Sequence, residues 1–242
     1  MKHLDYYKFQ AAARGVVRYD DVVRGAEASA YLYRAILTDW MRTPEEKRLV
    51  RIAELACGHG SFLYWLKQEG YSEITGVDAS SEQIVFARQA AADVHQEDVI
   101  EWLSRQPAAS YHFLVAIDLV EHLSKDDFMQ VLAQSRRVLK SNGALILRLP
   151  NGDSPFVGRN LFNDITHVWT YTSNSLVSLA QMHEFVKSEF FDQGTVIRDH
   201  RWLKVPLSRL CLFLLRLLVF AATRERIDYW SPHLWARLQK AG

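Results

Sequence analysis

The sequence is poor in several things, and each shortage excludes a class of protein. It holds only two cysteines, Cys57 and Cys211, far apart in the chain. Two thiols at that separation make neither a disulfide framework nor a cysteine cluster for a metal. The opening Met1-Lys2-His3-Leu4-Asp5 lacks the apolar centre of a secretory signal, so a cytoplasmic protein is expected. The oily run Leu210–Ala222 is thirteen residues long, short of the roughly 20 that cross a bilayer. Internal repeats and low-complexity tracts are also missing, which argues against solenoids and linkers.

What is present suits one large α/β domain. The chain has 242 residues, 49% of them hydrophobic, enough to bury a substantial core. The net charge of +1 hides an asymmetry. From Arg201 onward there are eight Lys/Arg and two acids, about +6, which leaves about −5 for the rest. Such a split is found where one end faces a membrane or a polyanion, and equally where charges are merely scattered over a solvated surface.

The chain is organised around Arg51-Ile52-Ala53-Glu54-Leu55-Ala56-Cys57-Gly58-His59-Gly60-Ser61-Phe62. An apolar run over 49–56 reads as a buried strand that meets two glycines and then a helix over 61–69. Glycines there let the backbone approach a ligand closely. Alternating strand and helix patterns follow, with strands over 73–77, 94–97, 111–117 and 144–149 and helices over 80–92, 98–105, 124–139 and 174–183. That alternation predicts a parallel sheet with helices on both faces. The first four strands end at Glu54, Asp78, Asp98 and Asp118, where open α/β sheets bind ligands. A dinucleotide site would want a third glycine at position 63, and Leu63 stands there.

Over 49–150 the motifs resemble those of class I S-adenosylmethionine-dependent methyltransferases. Glu54–Phe62, Thr75-Gly76-Val77-Asp78-Ala79-Ser80, Gln96–Leu103 and Ile117–Leu123 are similar to that family's motifs I to IV. The resemblance implies a doubly wound, seven-stranded, Rossmann-like sheet with S-adenosylmethionine as cofactor. It implies that Asp78 takes the ribose hydroxyls, as a carboxylate can with both oxygens. Asp98 would take the adenine amino group, with Val99 N–H near a ring nitrogen. Glu54 and the Gly58–Gly60 turn would hold the methionine part, and Ala56, Ala79 and Asp118 complete the cofactor set.

Glu121 and His122 follow the fourth strand, on the side where the methyl is transferred in this fold. An imidazole suits general-base work on a hydroxyl, and a structural histidine at a helix start fits the same position. The later string Asp164-Ile165-Thr166-His167 resembles a segment of methyltransferases of glycan and cell-envelope synthesis. That likeness sets Asp164 with Glu121 against the acceptor and makes His167 a second candidate for the catalytic base. Glu121, His122, Asp164 and His167 could hold a divalent metal, but their spacing fixes no geometry and none is assigned.

Residues 1–48 read as an amphipathic helical cap. A helix over Glu27–Met41, carrying Tyr31, Leu32 and Trp40, is stopped by Thr43-Pro44. The aromatics Tyr6, Tyr7, Phe9, Tyr31 and Tyr33 suit packing better than chemistry. Strands over 184–192 and 232–239 end the chain, too far apart for a hairpin turn. The insert between them, 193–230, contains Leu210–Ala222 with Arg209, Arg216, Arg224 and Arg226 around it and Trp202, Tyr229 and Trp230 as candidate interface anchors. It fits a helix lying in a membrane surface, a homodimer contact or a core helix. The implied function is O-methylation of a sugar, a lipid-linked glycan or another small acceptor. The alternative is an inactive cofactor-binding scaffold that docks a membrane or partner. The acidic cofactor region argues against a nucleic-acid substrate.

Overall fold

The computed structural model describes residues 19–37, 43–91, 93–192 and 204–242. Seven strands form one sheet: β1 (Arg51–Leu55), β2 (Glu73–Asp78), β3 (Asp93–Gln96), β4 (Tyr111–Ile117), β5 (Leu139–Pro150), β6 (Phe185–Asp192) and β7 (His233–Lys240). Their order is β3-β2-β1-β4-β5-β7-β6. The first five strands pair in parallel, and β7 runs antiparallel to both β5 and β6. The order reverses at the β1/β4 boundary, which opens a crevice at the carboxyl ends of those strands.

Strand alternation splits the core in two. Ala53, Leu55, Leu114, Leu145 and Leu147 face one layer with Trp102, Phe128 and Leu132. Ile52, Phe113, Val115 and Ile146 face the other with Phe62, Leu66 and Ile84. Strands buried on both faces must be apolar at nearly every position, which is why they are so plain in the sequence. The helices are α1 (Tyr19–Leu37), α2 (Pro44–Leu49), α3 (Ser61–Gln68), α4 (Ser81–Ala90), α5 (Val99–Arg105), α6 (Lys125–Val138), α7 (Val157–Phe162), α8 (Ser173–Met182) and α9 (Lys204–Thr223). Ser80, Ser124 and Thr172 cap α4, α6 and α8 through their hydroxyl oxygens, which accept a backbone N–H.

The structure departs from the sequence reading in four places. Thr43-Pro44, read as a stop, opens a helix: Glu46 N–H donates to Thr43 Oγ1 (3.2 Å) and Thr43 N–H to Glu46 Oε2 (2.9 Å). That reciprocal cap with proline in the first turn starts α2. β5 begins at Leu139, which already pairs with Tyr111 before the register shifts between Tyr111 and Phe113. The oily insert folds as a twenty-residue helix, α9, longer than its apolar run. No helix among the described residues is long and apolar enough to cross a membrane. Finally, Trp230 is buried, not an interface anchor, with only 4% exposure. Its Nε1–H donates to Ile227 O (2.7 Å) and its carbonyl accepts from Ser154 Oγ (2.8 Å).

The cap helix α1 starts at Tyr19, earlier than expected. Its Tyr33 packs edge-on against Phe62 at 4.9 Å between ring centres and lies 5.2 Å from Trp65, so this aromatic is packing. Ser61 Oγ donates to Val22 O (3.0 Å) and Arg34 pairs with Glu69 (2.7 Å), which seats α1 on α3. Tyr6, Tyr7, Phe9, Trp40 and Trp202 lie outside the described residues.

Candidate functional site

The first half of the site is the β1 exit. The chain leaves the strand through Ala56 at φ 57°, Gly58 at φ 52° and Gly60 at φ 87°. The two glycines serve different ends. A Cβ on Gly60 would lie 2.8 Å from Ala87 Cα, so this residue lets α4 pack closely. A Cβ on Gly58 would meet nothing nearer than 4.0 Å, so its bare backbone faces open space where a ligand can approach.

Asp78, at the end of β2, ties this turn down. Its Oδ2 accepts from Gly58 N–H (2.8 Å) and its Oδ1 from Ser80 N–H (2.8 Å). Each carboxylate oxygen keeps a second lone pair for a ligand hydroxyl. Burial raises the Asp78 pKa, against the pull of those two amides. Glu54 sits behind the turn with 4% exposure, and its Oε2 has no hydrogen-bond partner among the described residues. Burial, then the neighbouring Asp78 charge, drives its pKa well above the usual carboxylate range, and the Leu63 amide only partly opposes this. A buried, unpartnered acceptor beside an open backbone cradle fits a cationic ligand group. Asp98 caps α5 with Oδ1, which accepts from Ile100 N–H (2.8 Å) and Glu101 N–H (3.1 Å). Val99 is the buried first residue of that helix, and Ala79 is exposed at the β2 exit.

The second half stands at the β4 exit. Asp118 leaves the strand at φ 55° and accepts from Arg148 of β5 at 2.5 Å. Asp118 keeps 42% of its side chain exposed; its partial desolvation raises its pKa while Arg148 and then His167 pull it down. A short 3-10 turn, Val120–His122, follows. The Glu121 carbonyl accepts from Val168 N–H (2.7 Å), which draws the segment after β5 over the end of β4. With Trp169 N–H on the same carbonyl (3.4 Å) and Thr166 Oγ1 against His122 Nδ1 (2.9 Å), that bond brings Asp164 and His167 to Glu121 and His122.

Hydrogen bonds orient both imidazoles of the resulting cluster. His167 Nδ1 lies 2.9 Å from Leu161 O. A carbonyl only accepts, so Nδ1 carries a proton there and Nε2 faces the cluster's other groups. Thr166 Oγ1 donates to Asp164 Oδ1 (2.6 Å) and lies 2.9 Å from His122 Nδ1. With its one proton given to Asp164, the Thr166 hydroxyl accepts from His122 Nδ1–H. The two imidazoles meet edge to face, 4.7 Å between centres. Burial opposes ionisation of Asp164, but the hydroxyl and amide of Thr166, then both histidines, hold its pKa below the usual value. Glu121 is 2% exposed. Burial and the Asp118 charge push its pKa up to about 8.

The sequence-predicted residues thus fall into two groups, Glu54, Gly58 and Asp78 in one and Asp118, Glu121, His122, Asp164 and His167 in the other. Sequence reasoning missed Arg148, whose signal was a lone cation in an apolar strand, and Thr166, which sits inside the very string that carries Asp164 and His167.

Comparison with known proteins agrees with this geometry. Residues 52–143 match a family model described as a methyltransferase domain. A curated relative, the putative methyltransferase YqeM of Bacillus subtilis, is 25% identical over 227 residues, covering 84% of this chain and 89% of its own. Among solved structures, a SAM-dependent methyltransferase of Archaeoglobus fulgidus is similar at TM-score 0.66 and 21% identity, over 97% of this chain and 99% of that one. A phosphoethanolamine N-methyltransferase of Haemonchus contortus, solved with phosphomonomethylethanolamine and S-adenosylhomocysteine, aligns at TM-score 0.58 and 15% identity, over 94% of this chain and 61% of that one. These solved structures share the fold. The comparisons support a methyltransferase domain over residues 52–143, with S-adenosylmethionine as its cofactor.

Proposed function

We propose that this protein transfers the methyl group of S-adenosylmethionine to a hydroxyl of a sugar, a lipid-linked glycan or another small acceptor, at a membrane surface. When bound, the cofactor supplies a sulfonium methyl: the acceptor oxygen takes it, the carbon–sulfur bond breaks, and the hydroxyl proton is lost. Glu54, Gly58, Asp78 and Asp98 hold the cofactor, and Ala56, Ala79, Val99 and Asp118 border it. The observation that carries the hydroxyl reading is the Glu121/His122/His167 cluster at the adjoining strand end. Two imidazoles gathered at one strand end suit an acceptor that must lose a proton. Alignment does most of the remaining work in such displacements, so Glu121 and Asp164 are assigned to the acceptor. The scaffold alternative requires a defective cofactor site, and Glu54, Gly58, Gly60, Asp78 and Asp98 are all in place.

The membrane part of the reading is supported by where apolar surface is left uncovered. On α9, Phe213, Leu214, Leu217 and Leu218 are each at least half exposed. On the acceptor loop, Phe162 (82%), Ile165 (67%) and Val168 (53%) are exposed as well. A chain of ring contacts joins the two regions: Arg216 lies 5.6 Å over Trp230, whose ring centre is 6.3 Å from that of Phe156. Beneath α9 a pocket of about 510 Å³ is lined by Phe213, Leu217, Phe220, Ile227 and Trp230. A few hundred Å² of such surface, at about 25 cal/mol per Å², amounts to several kcal/mol left in water. Arg216, Arg224 and Arg226 on and after this helix complement an anionic lipid surface, each adding about 1 kcal/mol near it.

The test is a transfer assay with labelled S-adenosylmethionine on cell-envelope extracts and on aqueous metabolites, together with flotation on phosphatidylglycerol liposomes. Label should enter the envelope fraction as a base-stable methyl ether, and the protein should float at low salt. Leu214→Ser, Leu217→Ser and Leu218→Ser together should abolish flotation and spare cofactor binding. Label confined to aqueous amines refutes the acceptor class. A wild type that ignores liposomes but forms a dimer broken by the triple variant assigns the face to a second subunit.

A further inference from the structure

We propose that Glu121, His122 and His167 bind a divalent first-row transition ion such as Mn²⁺ or Zn²⁺, which holds the acceptor oxygen. One ligand atom from each of the three residues lies within 4.8 Å of the other two. The inference rests on the hydroxyl-acceptor reading for its purpose, but its test does not.

Three observations separate this cluster from a chance gathering of polar groups. First, both imidazoles are already oriented as metal ligands are. A ligating histidine donates its other N–H to a carbonyl or a carboxylate relay, which fixes the ring and its tautomer. His167 donates from Nδ1 to Leu161 O (2.9 Å). His122 donates from Nδ1 to Thr166 Oγ1 (2.9 Å), which passes the contact to Asp164 Oδ1 (2.6 Å). Second, the carboxylate that completes the set is buried to 2% exposure, and its Oε2 has no hydrogen-bond partner among the described residues. A buried carboxylate oxygen left without a donor is costly, and a cation is one of the few things that removes the cost.

Third, the donor set is chemically coherent. Two imidazoles and one carboxylate are the ligands of open transition-metal sites, in which the remaining positions take water or substrate. Ligand atoms about 2.1 Å from an ion stand roughly 3–4 Å apart, so small side-chain rotations draw this cluster in on loading. Bound there, the ion coordinates the acceptor hydroxyl and lowers its pKa. The proton then leaves to bulk water, and the imidazoles act as ligands in place of bases. Asp118 stays outside the set because Arg148 holds it at 2.5 Å.

The experiment uses the full chain after treatment with chelator and dialysis. MnCl2 and ZnSO4, each alone, are titrated by calorimetry, and S-adenosylhomocysteine is titrated into the same samples. Wild type should bind one ion per chain. Glu121→Gln, His122→Ala and His167→Ala should each weaken it by at least tenfold. Thr166→Val, which touches no ion and removes the hydroxyl of the relay, should weaken it by about 10–100-fold. All four variants should bind S-adenosylhomocysteine as wild type does, which shows that they are folded. A wild type that takes up cofactor product but neither ion overturns the metal inference alone. Ion binding left unchanged in the His122 and His167 variants overturns it equally. Failure to bind S-adenosylhomocysteine at all would instead strike the methyltransferase reading.

Discussion

Binding of cofactor should expel a proton from Glu54. This side chain is 4% exposed, its Oε2 is unpartnered among the described residues, and Asp78 adds a like charge. These raise its pKa well above the ordinary 4.5, so the ligand-free protein holds the acid protonated to higher pH than a free glutamate does. The ammonium of the methionine part favours the ionised form. Affinity for S-adenosylhomocysteine should therefore rise with pH, by up to about tenfold per unit, until the ligand-free pKa is passed. Calorimetry in two buffers of different ionisation enthalpy reads the proton directly. Glu54→Gln should remove the buffer dependence and weaken binding by about 10–100-fold, from the 1.5–3 kcal/mol of a hydrogen bond to a charged group. Stability moves the other way. The native state binds a proton that the unfolded chain releases, so wild-type stability falls as pH rises from 4.5 toward the raised pKa. The variant escapes that loss, and its advantage in Tm should grow across this window. Equal proton release in both proteins, or none in wild type, would refute the reasoning.

Two further substitutions test the frame around the cofactor. Gly60→Ala sets a Cβ 2.8 Å from Ala87 Cα at φ 87° and should destabilise by about 2–4 kcal/mol, whereas Gly58→Ala, strained only by its φ of 52° with nothing nearer than 4.0 Å, should cost about 1–2 kcal/mol, fold and lose cofactor affinity. Thermal melts paired with cofactor titration separate these effects, and equal melts would refute the division of roles. Arg148→Met leaves Asp118 without its 2.5 Å partner. Because Asp118 is 42% exposed, the loss should be only about 1 kcal/mol, or about 2–4 °C in Tm for a chain of this size. A loss several times larger would mean that the pair is more deeply desolvated than its exposure says.

The parts that were legible in the sequence and those that were not differ by a physical rule. Within one strand–turn–helix unit, the order of residues fixes their placement. The Glu54, Gly58 and Gly60 exit, the acids at the ends of β2 and β4, and the hydroxyl caps at Ser80, Ser124 and Thr172 were therefore readable by position. Thr43-Pro44-Glu45-Glu46 belongs to the same class, since a capping box is local, and it was missed only because proline was read as a stop. Contacts between units were not readable. Arg148 meets Asp118 because β5 pairs with β4 in a register that sets Ile117 beside Arg148. The histidine cluster forms because Val168 N–H reaches the Glu121 carbonyl at 2.7 Å and Thr166 Oγ1 meets His122 Nδ1 at 2.9 Å, bonds between loops that follow different strands. Trp230 changed from surface to core for the same reason: Asn151 and Ser154, at the β5 exit, bind the backbone of residues 229–231 and pull that segment inward. A sequence lists the groups that each strand end presents, and the sheet order decides which ends are neighbours. Here the order sets β1 beside β4 and β4 beside β5, so the acid-bearing cofactor exit adjoins the exit that carries Glu121 and His122, and the segment after β5 closes over the latter. The placement of the candidate chemistry follows from that adjacency more than from any single motif.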